Sequence, residues 1–288
     1  MRHLDPRLNA FRPDVADIRL EGQVEAERFV DATLFQVAEP LAPLRRRPMP
    51  DAPLETEALC GEVVRVFQET PEGWVWGQLA RDRYVGYLPA NALRRQLHEP
   101  THVVGVPSTL VFPGPDIKLP PLASLPLGAE VAVTGEARDH NARYLTLTPA
   151  GAIVAQHLVA VGSVVEPDFT ATAERLIGVP YLWGGKGWGG IDCSGLVQVA
   201  LNMAGHDCPR DSDMQAEAIG APLDLSGGLP ALRRGDIVFW KGHVGIMRDE
   251  SRLVHANVLH MAVASEPLAA VQTRLGEKGL TITAIRRL

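Results

Sequence analysis

Proline is distributed unevenly along this 288-residue chain, and that distribution limits what each half can fold into. Of the 23 prolines, 17 lie in residues 1–150 and 6 in residues 151–288. Proline interrupts helices and central strands, because it lacks a backbone N–H and fixes φ. The first half is therefore expected to hold short strands separated by turns, and the second half longer elements.

Short apolar runs follow one another in the first half, at residues 62–67, 73–79 and 84–88. Such runs, with turn residues between them, indicate a small all-β barrel. The pattern recurs, since "PDAPLETEALCGEVVRVFQE" at 50–69 is similar to "PDIKLPPLASLPLGAEVAVTGE" at 115–136. We predict two β-barrels in tandem. A chance likeness between two β-rich segments is the alternative.

The second half has the pattern of a mixed domain. "FTATAERLIGVP" predicts a helix that ends at Gly178 and Pro180, and "CSGLVQVALNMAG" predicts another between the N-cap Asp192 and Gly205. A third helix is predicted at 211–219. The rest predicts strands, which are placed at 236–240, 244–247, 253–256, 261–264 and 281–285. Helices followed by a sheet make an α+β domain.

Composition excludes several classes of function. A net charge of −6 gives no reason to expect a nucleic-acid partner. No run approaches the ~18 apolar residues of a membrane span, and "MRHLDPRLNAFRPD" lacks the apolar stretch of a secretory signal. Three cysteines, an odd number, do not fit a disulfide scaffold. We expect a cytoplasmic protein with reduced thiols and no membrane partner.

Cys193 is the residue best placed for chemistry. It follows a stretch with seven glycines between residues 178 and 195, and it begins a predicted helix behind Asp192. Backbone N–H groups and the helix dipole at such a start stabilise a thiolate, lower its pKa and can bind an oxyanion. Cys60 and Cys208 lack this setting. We predict that Cys193 is a nucleophile and not an inert buried thiol.

A nucleophilic cysteine needs a base, and the base needs an orienting group. His243 opens the strand "HVGIM" and His255 lies in the next strand, "LVHAN", so a short turn can bring them side by side. We predict His243 as the base and His255 as the residue that holds its ring, with His260 as a rival for the third place. A zinc site of Cys193, His243 and His255 is the chemical alternative.

Four ordered motifs resemble the NlpC/P60 cysteine peptidases: "PYLWGGKGWGGIDCSGLVQ" (180–198), "PRDSDMQ" (209–215), "GDIVFWKGHVGIM" (235–247) and "LVHAN" (253–257). Residues 35–162 resemble the paired bacterial SH3 (SH3b) domains that precede this catalytic domain in enzymes that cut small cell-wall peptides. The chain is therefore similar to the γ-D-glutamyl-L-diamino acid endopeptidases of murein-peptide recycling, also called dipeptidyl-peptidase VI.

The resemblance implies a papain-like α+β domain behind two small all-β SH3-like barrels. It also implies a Cys193, His243 and His255 triad, with no metal or organic cofactor. The implied substrates are short murein peptides with a free N-terminal L-Ala, cut between γ-D-Glu and meso-diaminopimelate or lysine. The expected divisions are a lead-in with a short helix near residues 14–29, two SH3b domains and the NlpC/P60 domain, at 1–34, 35–99, 100–165 and 166–288.

In that subfamily an acidic residue and a tyrosine of the first SH3b domain hold the substrate amine, with the Asp before the nucleophile. Glu62, Tyr84 and Asp192 occupy the matching places here. The resemblance also implies that Tyr181 helps to bind the oxyanion. The remaining implied pocket residues are Trp183, Ser194, Asp211 and Ser212. Because "AGAIVAQHL" lacks the aromatic residue common in SH3b domains, we expect a spacer role for the second barrel.

Two other functions stay open on the sequence. One is a secreted peptidoglycan hydrolase that its SH3b domains direct to the wall. The other is a non-catalytic murein-binding protein, which the intact Cys193, His243 and His255 set disfavours.

Overall fold

The computed structural model describes residues 4–288 and divides the chain into two compact units, Met1–Val161 and Gly162–Leu288. The first three residues of the predicted lead-in lie outside the described residues. Clusters of buried apolar side chains form within each unit. The two units are described in turn.

The helix predicted near residues 14–29 is wrong. Its place is taken by short elements, namely β1 (Ala16–Asp17), a 3-10 turn (Ile18–Leu20) and β2 (Phe29–Val30). The two strands pair in parallel. Tertiary packing decides the outcome, because Val15 is fully buried in a cluster that contains Phe67 and Trp76 of the following sheet.

The lead-in is followed by a seven-stranded antiparallel sheet. Its strands are β3 (Thr33–Val37), β4 (Leu41–Arg45), β5 (Leu54–Leu59), β6 (Val63–Glu69), β7 (Trp74–Leu79), β8 (Val85–Pro89) and β9 (Leu93–Arg94). They lie in the order β5-β4-β8-β7-β6-β3-β9. A 3-10 turn (Ala90–Ala92) connects the last two in sequence. The three apolar runs predicted as strands are β6, β7 and β8, so those predictions are confirmed.

A second group of strands completes the first unit. They are β10 (His102–Val104), β11 (Ser108–Val111), β12 (Ala123–Pro126), β13 (Glu130–Arg138), β14 (Arg143–Thr148), β15 (Ala152–Val154) and β16 (Leu158–Ala160). The sheet order is β15-β14-β13-β10-β16, with β11 and β12 as a separate hairpin. A 3-10 turn (Ala155–His157) precedes the last strand.

The strand order of the first sheet recurs in the second group. When β3 is matched to β10 and the other strands follow in sequence, β8-β7-β6-β3-β9 corresponds to β15-β14-β13-β10-β16. The hairpin of β11 and β12 corresponds to β4 and β5, and a bridge between Phe112 and Ala152 links it to β15. This recurrence agrees with the internal likeness in the sequence.

The second unit combines four helices with a six-stranded sheet. Its elements are α1 (Phe169–Glu174), β17 (Lys186–Gly187), β18 (Gly190–Ile191), α2 (Cys193–Met203), α3 (Ser212–Ala218), β19 (Ala221–Pro222), β20 (Ile237–Trp240), β21 (His243–Met247), β22 (Arg252–Asn257), β23 (Ala262–Pro267), α4 (Leu268–Gly276) and β24 (Ile282–Arg287). The three predicted helices and five predicted strands are confirmed, whereas α4 was not predicted.

The sheet of the second unit is antiparallel, in the order β19-β24-β20-β21-β22-β23. Helix α2 packs against β21 and β22 and is buried along almost its whole length. Helix α4 adds Leu268 and Val271 to a separate apolar cluster with Trp240 and Leu253. Because α2 is buried against β21 and β22, its first residue, Cys193, has a fixed position next to the sheet.

Among residues 4–288, no helix combines the length and the apolar character that a membrane crossing requires.

Candidate active site

Cys193 is the first residue of α2, directly after the glycine-rich loop. Asp192 caps the helix by accepting a hydrogen bond of 2.7 Å from the backbone N–H of Gly195. A Cβ at residue 195 would lie 2.4 Å from the carbonyl oxygen of Gly185, so only glycine fits there. The glycines thus let the loop backbone lie against the helix start, and the structure confirms the predicted cap.

Asp192 is also clamped by a buried arginine. Nη1 of Arg210 lies 2.9 Å from Oδ1 of Asp192, and Nη2 lies 2.7 Å from Oδ2. The backbone N–H of Gly184 donates a further bond of 2.8 Å to Oδ2. These bonds to Arg210 and Gly184 add to the predicted helix cap and fix the position of the Asp192 carboxylate. Its predicted contact with the substrate amine stays a prediction. Arg210 lies within the motif "PRDSDMQ" but was not singled out.

The two histidines lie side by side on β21 and β22, as predicted. Nε2 of His243 is 2.8 Å from Nδ1 of His255, which is fully buried. His260, the rival for this place, instead bonds Asn257, with 3.0 Å between Nδ1 and Oδ1. Because Nε2 of His243 is already bonded, Nδ1 is the nitrogen of that ring that is left for a reacting group.

A carboxylate that the sequence reasoning missed continues this line of side chains. Nε2 of His255 lies 2.8 Å from Oε1 of Glu266 on β23. Arg274 of α4 holds both oxygens of Glu266, at 2.8 Å and 2.6 Å. The sequence carries only a weak signal for Glu266, because its contact with His255 depends on the register between β22 and β23. A single sequence does not give that register.

The thiol of Cys193 lies at the end of α2 that packs against β21, where the backbone N–H of Val244 favours the thiolate. Burial raises the pKa of Cys193 to about 12, and the negative charge of Asp192 adds to this. The backbone N–H groups of Val244 and Ser194 oppose the rise. The lowered thiol pKa expected from the helix start is therefore wrong, because burial outweighs it.

Burial has the opposite effect on the pKa of the predicted base, His243. It lowers the pKa of His243 to about 3, and the positive charge of Arg274 lowers it further. A thiol with a raised pKa and an imidazole with a lowered pKa are both uncharged at neutral pH. The arrangement is therefore suited to general-base transfer of the thiol proton when a substrate arrives.

Tyr181 is placed near the thiol by the loop before α2. Its backbone N–H donates a bond of 2.8 Å to the carbonyl oxygen of Met261, which ties the loop to the turn before β23. Burial raises the pKa of the Tyr181 hydroxyl, and the negative charge of the neighbouring Asp192 raises it further. The hydroxyl therefore stays protonated and can donate a hydrogen bond.

A cleft of about 480 Å³ opens beside His243. Exposed apolar side chains line part of the cleft, among them Trp183, Val258 and Leu259. Three cations also line the cleft: Lys241, Arg274 and Lys278. Such a cleft suits a ligand with an aliphatic part and a negative charge.

The structure places the other predicted residues as follows. Ser194 is buried and accepts a bond of 2.8 Å from Nη1 of Arg210. Asp211 and Ser212 are half-buried at the start of α3. Within residues 4–288, no group of three or more His, Cys, Asp and Glu side chains is arranged to hold a metal ion.

Glu62 and Tyr84 belong to the first unit. Oε1 of Glu62 lies 3.4 Å from Nε of Arg81, and the carboxylate is buried. Tyr84 is 3% exposed and packs in the core of the first sheet. Their predicted role in binding the substrate amine stays a prediction.

Two segments of the chain match known families. Residues 44–93 match "Bacterial dipeptidyl-peptidase Sh3 domain", and residues 178–275 match "NlpC/P60 family". The second segment contains Cys193, His243 and His255. The first segment lies within the sheet of β3 to β9, so a second SH3-like domain in the chain stays a prediction.

Relatives and solved structures agree with these matches. A dipeptidyl-peptidase 6 of Lysinibacillus sphaericus is 27% identical over 76% of this chain and 85% of its own length. A gamma-D-glutamyl-L-lysine dipeptidyl-peptidase of Bacillus cereus is 25% identical over 75% of this chain and 71% of its own length. An NlpC/P60 family protein from Bacillus cereus has a similar fold, with a TM-score of 0.71, 19% identity and coverage of 88% of this chain and 99% of that one. The predicted fold class is confirmed as an NlpC/P60 fold with an SH3-like domain, whereas the number of SH3-like domains stays a prediction.

Proposed function

We propose that this chain, which contains an NlpC/P60 cysteine peptidase domain behind a bacterial SH3 domain, hydrolyses γ-D-glutamyl bonds in short murein peptides. The bond cut joins γ-D-Glu to a diamino acid, meso-diaminopimelate or lysine, in peptides with a free N-terminal L-Ala. The observation that carries the proposal is a buried thiol at the start of a helix that packs against β21, the strand opened by His243, whose ring is paired with His255. The names of the two dipeptidyl-peptidase relatives support this peptide class.

In the first half of the reaction, Cys193 forms a thioester with the substrate. Nδ1 of His243 takes the thiol proton as the sulfur attacks the γ-carbonyl carbon of D-Glu. The backbone N–H of Cys193 and the Tyr181 hydroxyl donate hydrogen bonds to the oxyanion. His243 then gives its proton to the amine of the diamino acid, which leaves as the C–N bond breaks.

In the second half, water releases the acyl group. Nδ1 of His243 takes a proton from the water, whose oxygen attacks the thioester carbon. The C–S bond breaks, and the proton returns to the sulfur. The products are the dipeptide L-Ala-D-Glu and the peptide or amino acid that began with the diamino acid. Acid–base help of this kind is worth about 10²–10⁴-fold.

The cleft beside His243 supports an anionic substrate. Because His243 protonates the leaving amine, the diamino acid lies on the His243 side of the bond that is cut. Lys241 and Lys278 line that cleft and can attract carboxylates of the leaving portion. We therefore propose short murein peptides as the partners of this chain.

We also propose that the enzyme works in the cytoplasm, where it recycles murein peptides. Among residues 4–288, none of the three cysteines, the nucleophile included, forms a disulfide. Reduced thiols fit a reducing compartment. Cleavage of intact sacculi in preference to short peptides would instead favour a secreted wall hydrolase.

The experiment that tests the proposal is cleavage of L-Ala-γ-D-Glu-meso-diaminopimelate, followed by mass spectrometry. Cys193→Ala is expected to abolish product formation, because no other group supplies the thioester. Cys208→Ala removes a second buried thiol of the same unit and is expected to leave cleavage in place. Unchanged cleavage by Cys193→Ala would refute the proposal.

A further inference from the structure

We propose that Glu266 is a positioning residue that sets the tautomer of His255 and, through it, keeps Nδ1 of His243 free to accept the thiol proton. The inference rests on the proposed roles of Cys193 and His243. No family match or relative's name assigns this residue a part in the reaction.

The first step is the charge state of Glu266. Its side chain is 11% exposed and accepts hydrogen bonds from Arg274 on both oxygens. Burial raises the pKa of Glu266, but the hydrogen bonds from Arg274 and His255 lower it to about 2. Glu266 is therefore ionised at neutral pH, and an ionised carboxylate accepts hydrogen bonds but donates none.

The second step follows the protons along the line of side chains. Since Glu266 only accepts, Nε2 of His255 must carry the proton of their 2.8 Å bond. Burial lowers the pKa of His255, so the ring is neutral and its Nδ1 has no proton. That nitrogen must accept the proton of Nε2 of His243, which lies 2.8 Å away. A neutral His243 then has no proton on Nδ1.

The opposite tautomers would block the reaction. If His255 carried its proton on Nδ1, it would donate to Nε2 of His243, and the His243 proton would lie on Nδ1. Nδ1 would then be a donor toward Cys193 and could not take the thiol proton. A wrong histidine tautomer of this kind is costly in hydrolases that use a nucleophile–histidine–carboxylate triad.

The strands explain how Glu266 reaches His255. In the antiparallel pairing of β22 and β23, His255 lies opposite Ala264, and Glu266 is the diagonal neighbour on the same face. The small side chain of Ala264 leaves room for the carboxylate. Arg274 approaches from α4, which begins directly after β23. The fold thus brings the carboxylate and its cation to the histidine from two successive elements.

Other charged groups face the same line of side chains. Nδ1 of His260 lies 3.9 Å from Oε1 of Glu266 and is the other titratable group on this carboxylate. At the opposite end, Cys193 of α2 lies against β21. Neither replaces Glu266 as an acceptor for Nε2 of His255.

The experiment combines two readouts that need no murein peptide, so failure of the inference is distinguishable from failure of the proposed function. The first is long-range ¹H–¹⁵N NMR of ¹⁵N-histidine-labelled protein. The unmodified protein is expected to show His255 and His243 both protonated at Nε2. Protonation of His255 at Nδ1 in the unmodified protein would overturn the inference without any variant.

The second readout is the rate of Cys193 alkylation by iodoacetamide in Glu266→Gln. A glutamine amide can donate to Nε2 of His255, so the NMR is expected to show His255 protonated at Nδ1. Loss of the outer hydrogen-bond partner of a metal-bound histidine costs about 10–100-fold in affinity or activity, and we expect a fall of similar size in the alkylation rate. Unchanged tautomers, or an unchanged rate, would contradict the inference.

A matched control separates positioning from loss of stability. Asp236 is also buried in the second unit, and Arg287 binds both of its carboxylate oxygens. Nε of Arg287 donates to Oδ1 of Asp236 at 2.7 Å, and Nη2 donates to Oδ2 at 2.6 Å. Asp236→Asn is expected to lower the thermal stability and to leave the Cys193 alkylation rate and the His243 tautomer unchanged. Equal losses of alkylation in both variants would show that Glu266 acts only through stability and would overturn the inference.

Discussion

The thiol of Cys193 is buried and the imidazole of His243 is half-buried, and burial favours the uncharged form of both groups. The proton therefore crosses from sulfur to nitrogen only when a substrate supplies an electrophile and an oxyanion to stabilise. This proton transfer differs from a mechanism in which Cys193 is already a thiolate before the substrate binds. The distinction has a consequence for pH dependence.

We predict that Cys193 alkylation keeps its rate into mildly acidic solution. Burial lowers the pKa of His243 to about 3, so the ring stays unprotonated and able to accept a proton as the pH falls below 6.5. The measurement is the iodoacetamide rate at Cys193 from pH 8 to pH 5, followed by peptide mass spectrometry. A loss of rate centred near pH 6.5 would mean that His243 titrates as an exposed histidine does.

Arg210 offers a second prediction at the scale of one residue. It is 1% exposed, and Arg210→Ala leaves the buried carboxylate of Asp192 without its cation. Breaking a buried ion pair from one side costs about 3–5 kcal/mol. Chemical denaturation of the variant is expected to show a loss of that size in the free energy of unfolding.

The control for Arg210 is an exposed arginine of the same unit. Arg234 pairs with Asp168 and Glu174 and is 39% exposed. Arg234→Ala is expected to cost less than about 1 kcal/mol, since solvent screens surface pairs. Similar losses in the two variants would refute the structural role given to Arg210.

At the scale of helices and strands, local patterns in the sequence predicted most of the second unit. The N-cap Asp192 and the glycine after α2 marked that helix, because both effects are local to the chain. The periodicity of Leu268, Val271 and Leu275 was also present, and α4 was missed only because no cap marks its start. The helix near residues 14–29 failed for another reason, since packing on a neighbouring sheet decides the conformation there.

The residues of the site that were predicted and those that were missed differ in the same way. Cys193, His243 and His255 were predicted because each lies at a position that a local motif defines. Glu266 and Arg274 were missed because they reach His255 through strand register and helix docking, which no local pattern records. The direction of the thiol pKa was also missed, because burial depends on the whole unit.

Gly195 gives a prediction for the junction of loop and helix. A Cβ there would meet the backbone oxygen of Gly185, so Gly195→Ala must displace either the loop or the start of α2. Overpacking of this kind costs about 1–3 kcal/mol, and Cys193 is expected to lose its position. The measurement is kcat on the murein tripeptide together with the free energy of unfolding.

Gly227→Ala is the matched control for that junction. A Cβ at Gly227 meets nothing within 4 Å, and the residue lies in the same unit. Gly227→Ala is therefore expected to leave kcat and the free energy of unfolding unchanged. If Gly195→Ala behaved like this control, the packing argument for the loop would be wrong.

At the scale of the whole molecule, the chain joins a unit that contains an SH3-like domain to a unit with a cysteine site. The prediction that Glu62 and Tyr84 bind the substrate amine gives the first unit a part in substrate choice. Glu62→Gln is expected to lower kcat/KM for the free-amine tripeptide, because a hydrogen bond to a charged group is worth about 1.5–3 kcal/mol. Acetylating the L-Ala amine of the substrate is expected to have at least that effect.

The control here is Glu55→Gln, which removes an acidic group of the first unit whose partner, Arg46, is exposed. It is expected to cleave the free peptide at the unmodified rate. Equal kcat/KM values for free and acetylated peptide would exclude a role for Glu62, Tyr84 and Asp192 in holding the amine.

The central claim is that Cys193 carries the γ-glutamyl group during the reaction. The most direct measurement is mass spectrometry of the acid-quenched enzyme after brief mixing with L-Ala-γ-D-Glu p-nitroanilide, whose anilide leaves easily and lets the acyl-enzyme build up. We predict an L-Ala-D-Glu adduct on the peptide that contains Cys193, formed with a burst of p-nitroaniline. Release of p-nitroaniline by Cys193→Ala, or an adduct at another residue, would contradict the account.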